Sequence, residues 1–281
     1  MIRRQDLGVL FFYYLGYSRI RNWILRLRRK PVARFVAFHD ILPEALNTFK
    51  AKIAFLKRHT HVISMDDYFS GRLSFIKVNV VITFDDGYQS WLTRAVPVLK
   101  EYGLSAIFFV TSDFIGLSKE EEDEFARTNL FLTRGPQRMT GGLSLDDMRR
   151  IVREGFAIGG HTLKHLNLGK VRDRAQIRYE IAEDKRRLEK ATGTKVEYFS
   201  YPFGACNNPE INLEEVLRES GYRGAVTTIS GFNDLRSNQY FLYREITEAA
   251  MPGRVFRARV YGNYDAVRFM RGQARKLFHL D

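Results

Sequence analysis

The chain has 281 residues, 45% hydrophobic and 14% aromatic, enough to bury one large core as a single α/β barrel or as two small domains. Its formal net charge of +13 lies wholly at the two ends. Residues 1–34 carry nine Lys/Arg against Asp6, residues 251–281 carry seven against Asp265 and Asp281, and residues 35–250 balance. The balanced middle offers no basic groove, which argues against a nucleic-acid partner. The single cysteine, Cys206, excludes an internal disulfide and leads to the expectation of a cytoplasmic protein.

At the start of the chain Arg3-Arg4 precedes an apolar run from Leu7 to Tyr17. The run is shorter than the ~20 residues a spanning helix needs, and no small-residue cleavage site follows it, so no export signal is expected. Next, Ile20, Trp23, Ile24 and Leu27 fall at i, i+3, i+4 and i+7, with Arg19, Arg21, Arg26, Arg28 and Arg29 off that face. Two readings fit this amphipathic pattern: a helix lying on an anionic membrane surface, or a helix packed on the barrel with its arginines in water.

From residue 35 the pattern alternates between strand and helix. Strands are expected at Arg34–His39, Asn79–Phe84, Ser105–Thr111, Phe156–Gly159, Val196–Ser200, Arg223–Thr227 and Leu242–Ile246, several as continuous apolar runs suited to strands covered on both faces. Ser64 and Ser144 each stand three residues before an aspartate and mark helix starts. Gln89–Tyr102 and Asp173–Thr192 read as long helices, the second closed by Gly193. Repeated β–α units imply a parallel barrel or a doubly wound sheet. The absence of repeats, low-complexity stretches or a proline-rich linker favours one domain, residues 35–250, between a basic N-terminal extension, 1–34, and a basic C-terminal tail, 251–281. In a closed barrel the first and last strands are neighbours, which would join the two basic ends into one patch. The long 112–142 connection, with the acidic run Glu120 to Glu124, reads as a solvated acidic loop or as a rim over the site.

In such folds the active site gathers at the C-terminal ends of the strands. Thr83-Phe84-Asp85-Asp86-Gly87-Tyr88 ends one strand, and His161-Thr162-Leu163-Lys164-His165 ends another. Two imidazoles and two carboxylates suffice for three ligands to one divalent metal plus one free base. A helical turn would point His161 and His165, four apart, at one ion. Adjacent aspartates on a strand face opposite ways, so a turn at Gly87 must re-aim them if both serve the site. His59 and His61 read as surface residues, and Trp91 as core.

These two clusters resemble the first two motifs of the polysaccharide deacetylase family, the NodB-homology carbohydrate esterases, and Phe199-Ser200-Tyr201-Pro202-Phe203-Gly204 resembles the third. The resemblance covers roughly residues 35–248. It implies a distorted (β/α) barrel and a metal-dependent hydrolase acting on N-acetyl groups of sugars. By the same resemblance Asp85 is the general base, Asp86, His161 and His165 are ligands to one divalent metal, expected to be zinc, and Tyr201 with Pro202 faces the oxyanion, Tyr201 lending its backbone N–H. Three places depart from the family pattern. Ser200 stands where an arginine often pairs with the catalytic aspartate, Leu242-Tyr243-Arg244 stands where a Leu-x-His motif supplies an acid, and the fourth motif has no match. Phe38-His39-Asp40 resembles the Tyr-His start of the poly-N-acetylglucosamine deacetylase branch. The proton donor is then His39 or the protonated Asp85, and Arg244 is expected to replace the missing arginine electrostatically. The expected partner is an N-acetylated glycan or glycolipid, lipid-linked or nascent, at the inner membrane face. A metal-dependent amidohydrolase acting on a non-sugar amide and a catalytically weak glycan-binding relative are the alternatives.

Overall fold

The computed structural model describes residues 4–17, 20, 23–24, 27, 30–131 and 138–265. The arginines expected on the polar face of the 20–27 segment, His279 and the tail from residue 266 lie outside them. Eight strands, β1 (Ala33–Phe38), β2 (His61–Val62), β3 (Asn79–Asp86), β4 (Ile107–Val110), β5 (Ala157–Gly160), β6 (Tyr198–Ser200), β7 (Gly224–Val226) and β8 (Arg244–Ile246), form one parallel sheet in the order β7-β6-β5-β4-β3-β1-β8. The short β2 pairs with the start of β3, below the point where β4 begins to pair at Thr83. Leu242, just before β8, bridges in parallel to Val226 on β7, so the sheet curls into a nearly closed, distorted barrel. All seven expected strands are present; β2 is additional.

The helices are α1 (Arg4–Tyr14), α2 (Leu46–His59), α3 (Met65–Phe69), α4 (Val96–Glu101), α5 (Lys119–Phe125), α6 (Leu145–Arg153), α7 (Arg174–Thr192), α8 (Leu213–Glu219) and α9 (Gly253–Val260). Ser64 and Ser144 cap α3 and α6, each hydroxyl accepting from the backbone N–H three residues on while that aspartate returns a bond to the cap. The same device at Ser118 starts α5, so the acidic run is a helix rather than an open loop. Its first-turn glutamates complement the positive end of the helix dipole. Gly193, at φ 72°, closes α7 as expected. The helix after β3 begins with a π-helical turn, Trp91–Ala95, before passing into α4.

The main core lies between the barrel and its helices. Phe38, Phe84, Trp91 and Phe108 are all fully buried there, with Phe84 stacked on Phe108 at 4.7 Å between ring centroids. Trp91 is thus core, as its position after β3 suggested. Gly159 and Gly160 end β5 because side chains would not fit: a Cβ on Gly159 would strike the Phe109 ring, and one on Gly160 the Tyr222 hydroxyl. Gly159→Ala is expected to destabilise the protein by ~1–3 kcal/mol through overpacking, read as a lower urea midpoint at unchanged slope.

Candidate active site

The first cluster is built by the end of β3. The ladder to β4 runs through Asp86, opposite Val110, and the re-aiming occurs at Asp86 itself, whose φ is +94°, before Gly87 at φ +125°. A left-handed aspartate is uncommon and costly, which places both carboxylates on the site side at the expense of backbone strain. Both are nearly buried, at 2% and 6% exposure.

The second cluster corrects an expectation. His161 and His165 do not share a helical turn; the 161–165 segment is an irregular loop after β5, with Thr162 at φ 65° and His165 at φ 56°. The loop is pinned to α7. Asp184 accepts from the His161 N–H at 3.0 Å, Glu180 accepts from the Lys164 N–H at 3.1 Å, and the Leu166 N–H donates to the Thr162 hydroxyl at 3.0 Å. His161 Nδ1 lies 2.6 Å from the Ser200 carbonyl oxygen, and His165 Nδ1 lies 2.9 Å from that of Asn129. A carbonyl can only accept, so each Nδ1 carries the proton and each Nε2 is left with a lone pair. Those Nε2 atoms face Asp86 Oδ1 at 3.6 and 3.4 Å.

The three donors fit one divalent ion. Tetrahedral ligation with bonds near 2.0–2.1 Å puts ligand atoms ~3.3 Å apart, and here one atom from each of Asp86, His161 and His165 lies within 4.8 Å of the others. Burial pushes the His165 pKa down to about 4, so its imidazole is neutral and able to ligate at pH 7. Burial also opposes ionisation of Asp86, but the facing His161, with His39 and His165 nearby, outweighs it and keeps the pKa below the ordinary carboxylate value. Burial, then the Asp86 and Asp40 charges, hold the Tyr88 phenol neutral.

Asp85 is held from the far side. Arg244, fully buried on β8, reaches it through two parallel bonds, Nη1 to Oδ1 and Nη2 to Oδ2, each 2.6 Å. The guanidinium also donates to the Ser200 hydroxyl at 2.8 Å, the Thr83 hydroxyl at 3.2 Å and the Thr227 carbonyl at 2.9 Å. Burial raises the Asp85 pKa, yet Arg244, His161 and His39 together bring it below the usual value, so the group is a carboxylate. Arg244 therefore reaches the aspartate from β8, while Ser200 on β6 supplies a hydroxyl to the same pair. His39 follows β1, one place beyond the Phe38–Phe84 pair, and is level with Asp85.

Tyr201 does not meet its expected role. Its N–H donates to the Val226 carbonyl at 3.1 Å and its hydroxyl to the Tyr240 carbonyl at 3.0 Å, so the amide is committed to the β6–β7 ladder rather than free for an oxyanion. Pro202, beside it, has no N–H and opens a short turn, Pro202–Gly204. In that turn Phe203 adopts φ 57° and stays 40% exposed, its ring centroid 4.4 Å from that of His165. Nothing in the residue pattern singled out Phe203 or the Asn129 carbonyl. The latter lies in the 112–142 connection, which thereby orients a site histidine instead of merely edging the fold.

The family model described as "Polysaccharide deacetylase" matches residues 75–225. A Bacillus subtilis protein, YxkH, is 28% identical over 179 residues, which cover 64% of this chain and 55% of that protein, so the chain matches about half the length of this relative. A poly-beta-1,6-N-acetyl-D-glucosamine N-deacetylase of Staphylococcus epidermidis is 26% identical over 233 residues, covering 76% of this chain and 71% of the relative. Among solved structures, IcaB from Ammonifex degensii superposes with a TM-score of 0.66 at 21% identity, covering 83% of this chain and 97% of that one. At that identity the likeness is one of fold.

Proposed function

The chain belongs to the polysaccharide deacetylase family, and on that premise we propose that it is a metal-dependent hydrolase that removes N-acetyl groups from an amino-sugar glycan. The observation that carries this reading is one arrangement: a buried, arginine-clamped carboxylate, Asp85, next in sequence to a carboxylate that shares a three-ligand cluster with two oriented imidazoles. Asp86, His161 and His165 would hold the metal, with zinc the reading that an imidazole-rich tetrahedral set favours. When bound there, a divalent ion polarises the acetyl carbonyl and makes water a stronger acid.

The chain's own residues do the rest. Asp85 takes the proton from the attacking water, its two oxygens fixed by Arg244 so that the receiving lone pair does not wander. Arg244 cannot return that proton, because a guanidinium stays charged at any working pH. Protonation of the departing amine falls to His39, which follows β1 level with Asp85, or to Asp85 once it carries the proton. The exposed Phe203 ring beside His165 offers an apolar face to the sugar or its acetyl methyl.

The test is metal content together with acetate release from N-acetylglucosamine oligomers. Near-stoichiometric divalent metal, loss of acetate release after chelation and its return on adding zinc would support the proposal. The His165→Ala protein is expected to bind the ion at least tenfold more weakly, because one of three ligands is gone. Bound metal with release from simple anilides but not from sugars would favour the non-sugar amide reading.

A further inference from the structure

Among the described residues, the first thirty take no part in the site, yet they leave a large apolar surface in water. On α1, Leu10 is 8% exposed and packs against Val255 and Ala258 of α9, so the helix is docked on the barrel's last helix. The side chains on its other face point out: Leu7 is 60% exposed, Phe11 61% and Leu15 61%, at i, i+4 and i+8. The described residues beyond, Ile20, Trp23 and Leu27, are helical and 59%, 61% and 65% exposed, at i, i+3 and i+7. Exposed apolar groups in such a row mark an interaction surface. The same stretch, residues 1–30, carries eight Lys/Arg against one acid. No helix among the described residues is long and apolar enough to cross a membrane.

We propose that this N-terminal extension lies on the surface of an anionic lipid bilayer, its apolar side chains among the acyl chains and its cations at the headgroups. Charge and apolarity together select this occupant. A second copy of the chain would bring one strongly basic extension against another, which repels. A nucleic acid would neutralise the cations but leave the phenylalanine, tryptophan and leucine side chains wet. An anionic membrane surface satisfies both at once. Docking of α1 on α9 makes the attachment rigid enough to carry the barrel with it. This inference is independent of the deacetylase reading, since none of these residues touches the site.

The two tryptophans give a direct readout, because Trp91 is fully buried and Trp23 is exposed. Full-length protein is mixed with vesicles of phosphatidylglycerol and phosphatidylcholine, or of phosphatidylcholine alone. Binding to the anionic vesicles, weakening as salt rises, with a blue shift of emission that persists in Trp91→Phe and vanishes in Trp23→Phe, is the expected result. A Phe11→Ser/Trp23→Ser/Leu27→Ser protein should bind at least tenfold more weakly while releasing acetate from soluble oligomers at the wild-type rate. Failure to bind anionic vesicles at low salt, or equal binding to neutral ones, overturns the proposal. So does a lipid-free dimer in which the Trp23 emission is already shifted.

Discussion

The Asp85→Asn protein is expected to release acetate 10²- to 10⁴-fold more slowly than wild type while still binding one divalent ion, the range expected for losing a positioned general base. An amide cannot take up the water proton, and the three ligand side chains, Asp86, His161 and His165, are untouched. Because Arg244 bonds both Asp85 oxygens, the substitution also turns an amide N–H₂ against a guanidinium N–H and weakens the clamp. Metal content, single-turnover acetate release and the urea midpoint should therefore be measured on one preparation. Unchanged turnover with bound metal would move the base away from Asp85 and make His39 the first candidate.

Arg244→Met carries the second large effect, and it falls on stability as well as rate. The pair is fully desolvated, so removing the cation strands a carboxylate that is 2% exposed and leaves the Ser200 and Thr83 hydroxyls short of a donor. Breaking one side of a buried ion pair costs ~3–5 kcal/mol, whereas replacing both sides is often nearly neutral. The double variant Asp85→Asn/Arg244→Met should therefore be more stable than Arg244→Met alone, and the urea midpoints of wild type, both single variants and the double variant give the coupling. Wild-type turnover in Arg244→Met would end the view that this arginine stands in for the one absent from the third motif.

Much of the site was legible because its residues are contiguous. Asp85-Asp86-Gly87 and His161 to His165 each follow an apolar run, and strand ends of a parallel β/α fold converge on one face. Arg244 was legible only through a departure from the family pattern: an arginine missing from one motif and another present where a histidine was expected. The geometry of the histidine loop was not legible. A spacing of four fits a helical turn, but here it is met by two left-handed residues that hydrogen bonds from α7 hold in place. The Asn129 carbonyl could not be found at all, since every residue carries one and only the folded path of 112–142 brings this one to His165. The Tyr201 amide was misjudged for a related reason: whether an N–H is free depends on the neighbouring strand, and β7 takes it.

The sequence by itself determined the ordered run of strands and helices, the ligand and base residue types, and the segregation of charge to the ends, because each is a property of local pattern and composition. Tertiary structure alone decided which partner each group meets: Arg244 from β8 on Asp85, carbonyls from β6 and the 112–142 connection on the two histidines, and α9 under one face of α1. Those pairings join residues 36 to 248 positions apart, and proximity at such separations is set by barrel closure and packing, to which no local pattern is sensitive.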